Sequence, residues 1–437
     1  MKQKLFTTLA LLGLYLGASA QQVKFTEYDL PNGLHVILHQ DKTAPVVAVS
    51  VMYHVGSKDE DPQRTGFAHF FEHLLFEGSD NMKRGEFMKI VSSNGGQNNA
   101  NTSQDRTFYY EVFPSNQLEL GLWLESERML HPKIDEVGVK TQNEVVKEEK
   151  RLRIDNKPYG KFTESIFGHL FEGHPYSWQP IGSMAHLDAA KLEEFLAFFK
   201  KYYAPNNAAL VIAGDIDVQK TKSLVKKYFE EIPAGAKVVK PHFELKPITK
   251  QIVDTVYDAN IQIPAIFAAY RVPGMKSRDN KVLGMISSLL SGGGSSRLST
   301  KMVDDKKTAL QVAAFNYTLE DHGVYITLAL PNNNTPLNDL LQDIDVEVAR
   351  LKTELITKQE FEKLQNQFEN SYVTANSKMI GLAENLANGY TFQNKNSNAI
   401  NEELKEIKSI TPEEIRSVAN KYLNKNERIV LYYLPKK

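Results

Sequence analysis

The segment EEFLAFFKKYYAPNNAALVIAGD, residues 193 to 215, returns in pattern as EEIRSVANKYLNKNERIVLYYLP at residues 413 to 435. Each reads as an amphipathic helix, a short turn and an apolar strand, and Lys421-Tyr422 falls 220 positions after Lys201-Tyr202. Similarity at a fixed offset is the mark of a duplicated structural unit. The starts of the two units agree as well. VAVSVMYHVGSKDED (47 to 61) and PAIFAAYRVPGMKSRD (264 to 279) are each an apolar strand followed by a turn with glycine and charges, ahead of a helical pattern. Two copies of about 200 residues each are therefore expected, within the usual domain size. Between them AGAKVVKPHFELKPITKQ (234 to 251), with its prolines and lysines, reads as an extended connection. The expected division is 21–236, a linker at 237–250, and 251–437. Strand-rich stretches such as LHVILHQ and FYYEVF alternate with long helical patterns such as 113 to 130. The expected class is α+β, a sheet covered by helices in each half.

The first twenty residues, MKQKLFTTLALLGLYLGASA, are set apart from the fold. Lys2 and Lys4, an apolar run and an Ala-Ser-Ala end make the pattern of a secretory signal peptide cut after Ala20. The apolar core is shorter than the ~20 residues a spanning helix needs, and no later stretch qualifies. The expectation is an exported protein, periplasmic or secreted, with no integral membrane segment. The chain has no cysteine, so neither a disulfide nor a lipid-modified thiol is available, and stability has to come from burial. A formal net charge of −1 leaves no basic surplus to hold nucleic acid.

Chemistry concentrates in TGFAHFFEHLLFEGSD, residues 65 to 80. The pattern is helical and stops at Gly78, a residue suited to a left-handed cap. Residues four apart share a helix face, so His69 and His73 project together, with Glu72 beside them. Phe70, Phe71, Leu74, Leu75 and Phe76 make the rest apolar almost all round, which marks a buried helix. Ionisable groups in such a place need a partner, and a metal ion supplies one. Imidazole nitrogen and carboxylate oxygen suit zinc, one ion per chain, whose catalytic sites combine three protein ligands with a water. Cobalt and manganese are not excluded by the ligand type. KTQNEVVKEEKRLRID (140 to 155) offers Glu144, Glu148 and Glu149 as third ligand. With Val145, Val146 and Leu152 as its three- and four-residue neighbours, Glu149 is expected on the buried face. A zinc ion brings the pKa of its water to about 7 and polarises a carbonyl, and Glu72 is left to move the water's proton to the leaving amine. Peptide hydrolysis is the reading, with a zinc hydrolase of other substrates as its rival.

At these residues the sequence resembles the M16 peptidases, the family of pitrilysin, insulin-degrading enzyme and the mitochondrial processing peptidase, whose signature is the inverted H-x-x-E-H. GSKDE, GFAHFFEHLLFEGS, GGQNNANTSQDRTFYY, VVKEEKRLRIDNKPYG, HPYSWQPIG and YYAPNNAALVIAGD occur in the family's order. The resemblance implies two homologous α+β domains, each a mainly antiparallel sheet covered by helices. It also implies a third ligand some 76 or 77 residues past the second histidine, and Glu149 lies 76 beyond His73. It places Asn99 and Ala100 on an edge strand where a peptide substrate adds as a further strand, the alternative being an ordinary polar turn leading into a strand. Short members form dimers that complete a chamber around short, flexible peptides.

The departures from the family are specific. Seven residues before Glu149, where active members often carry a second glutamate that supports the metal, this chain has Gln142. Aligned on GGGSSRLSTKMVDDKKTALQV, the family's substrate-holding Arg and Tyr become Val303 and Leu310, neither of which donates a hydrogen bond. The expected assembly is a homologous heterodimer whose partner brings the missing Arg and Tyr, or a homodimer. A non-catalytic scaffold or processing-complex subunit of the same fold is the alternative. His174-Pro175-Tyr176 reads as a turn with a satisfied histidine and is given no chemistry.

Overall fold

The computed structural model describes residues 22–241 and 243–436; the expected signal peptide and its cut near Ala20 lie outside the described residues. Among the described residues eleven strands form two sheets. The first contains β1 (Thr26–Asp29), β2 (His35–Gln40), β3 (Val46–Tyr53), β4 (Gln97–Thr102), β5 (Thr107–Pro114) and β6 (Ala208–Gly214), in the order β1-β2-β6-β3-β5-β4. The second contains β7 (Ile252–Asp258), β8 (Ala265–Pro273), β9 (Ala309–Thr318), β10 (His322–Pro331) and β11 (Arg428–Pro435), in the order β7-β11-β8-β10-β9. Without β1 the two orders match place for place. Each sheet has one parallel pair, β2 with β6 and β7 with β11, and antiparallel pairs elsewhere. The repeat read from the sequence is thus a repeat of topology, and the family's α+β architecture is present in both halves.

The central strands VVAVSVMY, AALVIAG and AIFAAYRVP are almost continuously apolar, the pattern of strands covered on both faces. On one face of the first sheet, Val36, Leu38, Val49, Val51 and Leu210 pack on helices of the same half through Phe71, Leu122, Phe195 and Val225. The other face, with Ile37, Met52, Phe108 and Val211, lies against Leu382, Ala383 and Leu386 of the helix Met379–Phe392, which belongs to the second half. The second sheet receives the reverse. Its Ala265, Phe267, Val324 and Ile429 pack on Ile166, Phe167 and Leu170 of the helix Phe162–Leu170 from the first half. The two exchanged helices hold the same place in their halves, each following a pair of long helices (Leu118–Leu130 and Glu136–Lys150; Leu337–Thr353 and Lys358–Ala375).

One expectation about local structure changes. The helical reading of 113 to 130 gives way to strand through Pro114, a 3₁₀ turn at Ser115–Gln117 and a helix from Leu118, because Phe113 is spent in the core under β5. Residues 233 to 251 form no helix or strand among those described, yet they are fastened. Lys240 Nζ donates to His54 O and to Asp59 Oδ1, both at 2.7 Å, and Leu245 and Ile248 pack beneath the second sheet. Among the described residues no helix is long and apolar enough to cross a membrane.

Candidate metal centre

The helix carrying the H-x-x-E-H residues spans Phe67–Leu74. It ends four residues before Gly78, which still has a positive φ of 127° but in the following turn. Its start is capped from a distance. Gly66, at φ 101°, has no side chain to offer, and Glu60 accepts from Gly66 N and Ala68 N, each at 2.9 Å. A carboxylate there satisfies two of the free donors that every helix start leaves. Burial pushes the Glu60 carboxyl up to about 8, and the hydrogen bonds from Gly66 N, Ala68 N and Trp178 Nε1, the last at 3.2 Å, oppose that rise. Gly182 brings the HPYSWQPIG loop onto this start so closely that a Cβ on it would meet Gly66 Cα at 2.3 Å. Phe67 stacks on Phe195 at 4.5 Å and Phe71 on Phe198 at 5.7 Å. The helix is therefore clamped along its length, and its polar face is set by that packing.

On that face His69 and His73 stand with ring centroids 4.9 Å apart. Glu149, near the end of the helix Glu136–Lys150, directs Oε2 at both, 2.9 Å from His73 Nε2 and 3.4 Å from His69 Nε2. Of the three glutamates considered for this place, Glu149 has a side chain 13% exposed, against 50% for Glu148 and 73% for Glu144. Glu149 is the one of the three that faces both imidazoles, though one reason for expecting it does not hold. Val146 is buried as expected, but Val145 and Leu152 are exposed; Leu152 lies in a π-helical turn at Arg151–Asp155 that follows the helix, and Val145 lies on a helix face that nothing among the described residues covers. That turn also brings Arg153 Nη1 to 2.6 Å from Glu149 Oε1, an i,i+4 pair that the spacing already contained.

The donor set fits a metal ion. Glu149 Oε2 is buried and makes no hydrogen bond, with the His73 nitrogen near it but out of line. The ligand atoms of His69, His73 and Glu149 lie within 4.8 Å of one another, the one such group of three among the described residues. Ligand atoms around a tetrahedral zinc stand roughly 3.3 Å apart, given bonds of about 2 Å, which the two histidine–glutamate distances match. Three lone pairs converging on one point repel unless a cation lies between them. Burial holds the His69 imidazole down to about 4, hence neutral and able to ligate. The His73 imidazole beside Glu149 holds that carboxyl below its usual range, hence ionised.

Glu72 lies next to this point. Burial raises its carboxyl above the usual range, and a hydrogen bond from Thr102 opposes that rise. Thr102 Oγ1 donates to Glu72 Oε2 at 2.6 Å, leaving Oε1 for other partners. Gln142 lies on the same helix seven residues before Glu149, about two turns away. Its amide donates to Glu77 Oε1 at 2.5 Å, and Glu77 is paired with Arg84, which also holds Asp135. A carboxylate is thus present beyond the metal ligands, on the motif side rather than at position 142.

Asn99 and Ala100 lie on β4, the outer strand of its sheet. Ser103 N donates to Arg106 O across the turn into β5. Antiparallel pairing alternates bonded and non-bonded pairs, and the register then turns the main-chain groups of Asn98, Ala100 and Thr102 to the open edge. Ala100 N is meanwhile occupied by Asn99 Oδ1 at 2.9 Å. His174 is buried, accepts from Tyr176 N at 3.0 Å and is pushed down to about 4 by burial, as a satisfied structural histidine should be.

In the second half the helix Arg278–Ser291 takes the place of the motif helix without metal ligands. Val303 packs into the core of its half, and Leu310 stands half exposed on β9. Thr102, Arg153, Glu60 and Glu77 were not picked out from the sequence. Arg153 was readable from its spacing and Thr102 from its parity with Ala100, whereas Glu60 acts through a loop that no local pattern describes.

Comparison with known proteins gives the chain's relatives. The family description "Insulinase (Peptidase family M16)" matches residues 35–175, and "Peptidase M16 inactive domain" matches residues 189–368. The chain is 30% identical over 430 residues to the zinc protease PqqE of Helicobacter pylori, covering 98% of this chain and 96% of that protein. A solved structure of a protease from Helicobacter pylori superposes with a TM-score of 0.88 at 31% identity, covering 94% of this chain and 100% of that one. The periplasmic protease PqqL from Escherichia coli shares the fold, with a TM-score of 0.78 at 19% identity over 95% of this chain and 48% of its own.

Proposed function

The chain belongs to the M16, or insulinase, family of peptidases, and from that premise we propose that it is a zinc metallopeptidase with His69, His73 and Glu149 as ligands and Glu72 as general base. The observation that carries the reading is the convergence of two imidazoles and one orphaned carboxylate oxygen beside a second buried carboxylate. A zinc ion in that cradle supplies a water of lowered pKa and a positive charge for the developing oxyanion. Glu72 Oε1 accepts a proton from the attacking water and returns it to the leaving amine, while Thr102 keeps Oε2 occupied. Arg153 holds Glu149 Oε1, which keeps Oε2 aimed at the histidines. A peptide lying along β4 exchanges main-chain hydrogen bonds with Ala100 once the Asn99 side chain turns away.

The finer reading follows from the same residues. Residues 21–236 form the zinc-bearing part and 251–437 the part without metal, joined at 237–250. The protein acts outside the cytoplasm on short unstructured peptides, as an added strand requires an extended chain. Val303 and Leu310 offer no hydrogen bond, so a homologous partner supplies the Arg and Tyr that hold substrate, and the chain is half of a dimeric chamber. The scaffold alternative draws on the description "inactive domain" for residues 189–368.

Two measurements test this. Mature chain incubated with a mixed library of unstructured peptides is expected to cut weakly alone and strongly with an Arg/Tyr-bearing homologue; full activity alone removes the need for the partner, and zinc binding with no cleavage in either sample favours the scaffold. Chelation is expected to abolish cleavage and to lower the melting temperature by on the order of 10 °C. A ligand at a thousandfold its Kd contributes about 4 kcal/mol to the folded state, and each kcal/mol moves a domain of this size by about 2–4 °C. Calorimetry before and after readdition of zinc reads the shift, and an unchanged melt means that no ion was held.

A further inference from the structure

We propose that Thr102 is a positioning residue that couples the substrate-binding edge to the general base, an inference that rests on the peptidase reading above. Its two halves face different partners. The main chain of Thr102 is the last group of β4 turned to the open edge, on the same register as Ala100, where an added strand takes its hydrogen bonds. Its side chain points the other way, onto the motif helix, and donates to Glu72 Oε2 at 2.6 Å. A hydrogen bond from a neutral hydroxyl to a carboxylate is charge-assisted and short, and it fixes which oxygen of Glu72 remains free. The base is therefore oriented by the strand that receives the substrate.

The far end of that strand is in turn fastened to the second half. Asp105, in the turn after Thr102, accepts from Glu320 N at 2.8 Å through Oδ2 and faces Lys58 Nζ at 3.0 Å through Oδ1. Lys58, itself buried, also pairs with Glu320 at 2.8 Å and Asp321 at 2.9 Å. Tyr176 donates to Asp105 Oδ1 at 2.5 Å. The turn Ser103–Arg106 is thus held from below by the first half and from the side by the hairpin of β9 and β10. Thr102 has a rigid mount, as a residue must if its hydroxyl is to set another side chain within a few tenths of an ångström.

The test uses the full mature chain, with its partner if one is needed for turnover. Thr102→Val keeps the strand and its main chain and removes the hydroxyl. The expected result is a kcat reduced about 10- to 100-fold, the loss that a hydrogen bond to a charged group carries, with KM and zinc content unchanged. Thr102→Ser restores most of kcat, which a purely structural role for the β-branched side chain would not produce. Crystals of the zinc-loaded Val variant show Glu72 in a displaced or divided conformation and those of the Ser variant show it in place. A Val variant with wild-type kcat and an undisturbed Glu72 overturns the coupling. If the wild-type chain cuts no peptide in any assembly, the peptidase reading fails, and the Glu72 conformers alone decide whether Thr102 holds that side chain.

Discussion

Glu72→Gln leaves a folded, zinc-loaded protein that no longer cuts peptides at a useful rate. The amide has the size of the carboxylate, and its Oε1 can still accept from Thr102 Oγ1, so the helix and its packing are undisturbed. What it cannot do is take a proton. General-base catalysis by a positioned side chain contributes typically 10²–10⁴-fold, and a loss of kcat of about that size is expected. Zinc content should match the wild type, because Glu72 is not among the three converging ligands. His73→Ala separates the roles from the other side: activity and bound zinc both fall. Steady-state kinetics with metal analysis on the two variants distinguishes base from ligand, and a Glu72→Gln protein with wild-type kcat would falsify the assignment.

Arg128→Ala is expected to destabilise the chain by about 3–5 kcal/mol, the cost of breaking a buried ion pair by removing one partner. Arg128, Glu111 and Glu125 all have 0% exposed side chains. Arg128 Nη2 donates to Glu111 Oε1 at 2.9 Å, and Glu125 Oε2 lies 3.3 Å from its Nε. Its guanidinium sits 4.4 Å from the Phe76 ring, 4.6 Å from Phe87 and 4.3 Å from Tyr109. Burial, and then the charge of Glu125, pushes the Glu111 carboxyl well up. The variant leaves two buried carboxyls without their cation and a void among three rings. Because Tyr109 Oη donates to Phe71 O of the motif helix at 2.8 Å, part of the damage should reach the metal. Denaturant unfolding of the zinc-loaded proteins measures the loss, and a change below about 1 kcal/mol, within the range of an exposed pair, would mean that the surroundings relax.

Much of the site was legible because it is local. His69 and His73 are one helical turn apart, Glu149 lies at the spacing the resemblance implies, and the resemblance, set against a polar turn leading into a strand, puts Asn99 and Ala100 on an edge strand. What escaped the sequence depends on where distant segments meet. Arg128 in ESERML looks like a charge on a solvated helix face, yet it lies at the centre of an aromatic cage. Val145 and Leu152 look buried by spacing and are exposed, since periodicity fixes which residues share a face but not what that face meets. Glu60 caps a helix through a loop, and Glu320 and Asp321, which fasten the turn after Thr102 to the second half, lie 215 and 216 positions beyond Asp105. The repeat was visible as two similar halves, but nothing in it told that each half lends a helix to the other.

That loan has a historical consequence. A protein made of one half alone would have left one face of its sheet bare, and a twin molecule was the nearest thing able to cover it. A single unit of this kind would need a twin copy, each reaching across with its counterpart of Phe162–Leu170 or Met379–Phe392. Joining two such genes kept the handshake and made it intramolecular, where effective concentration is high whatever the protein's abundance. Two joined copies need not be identical, so the converging histidines need be present in one half alone.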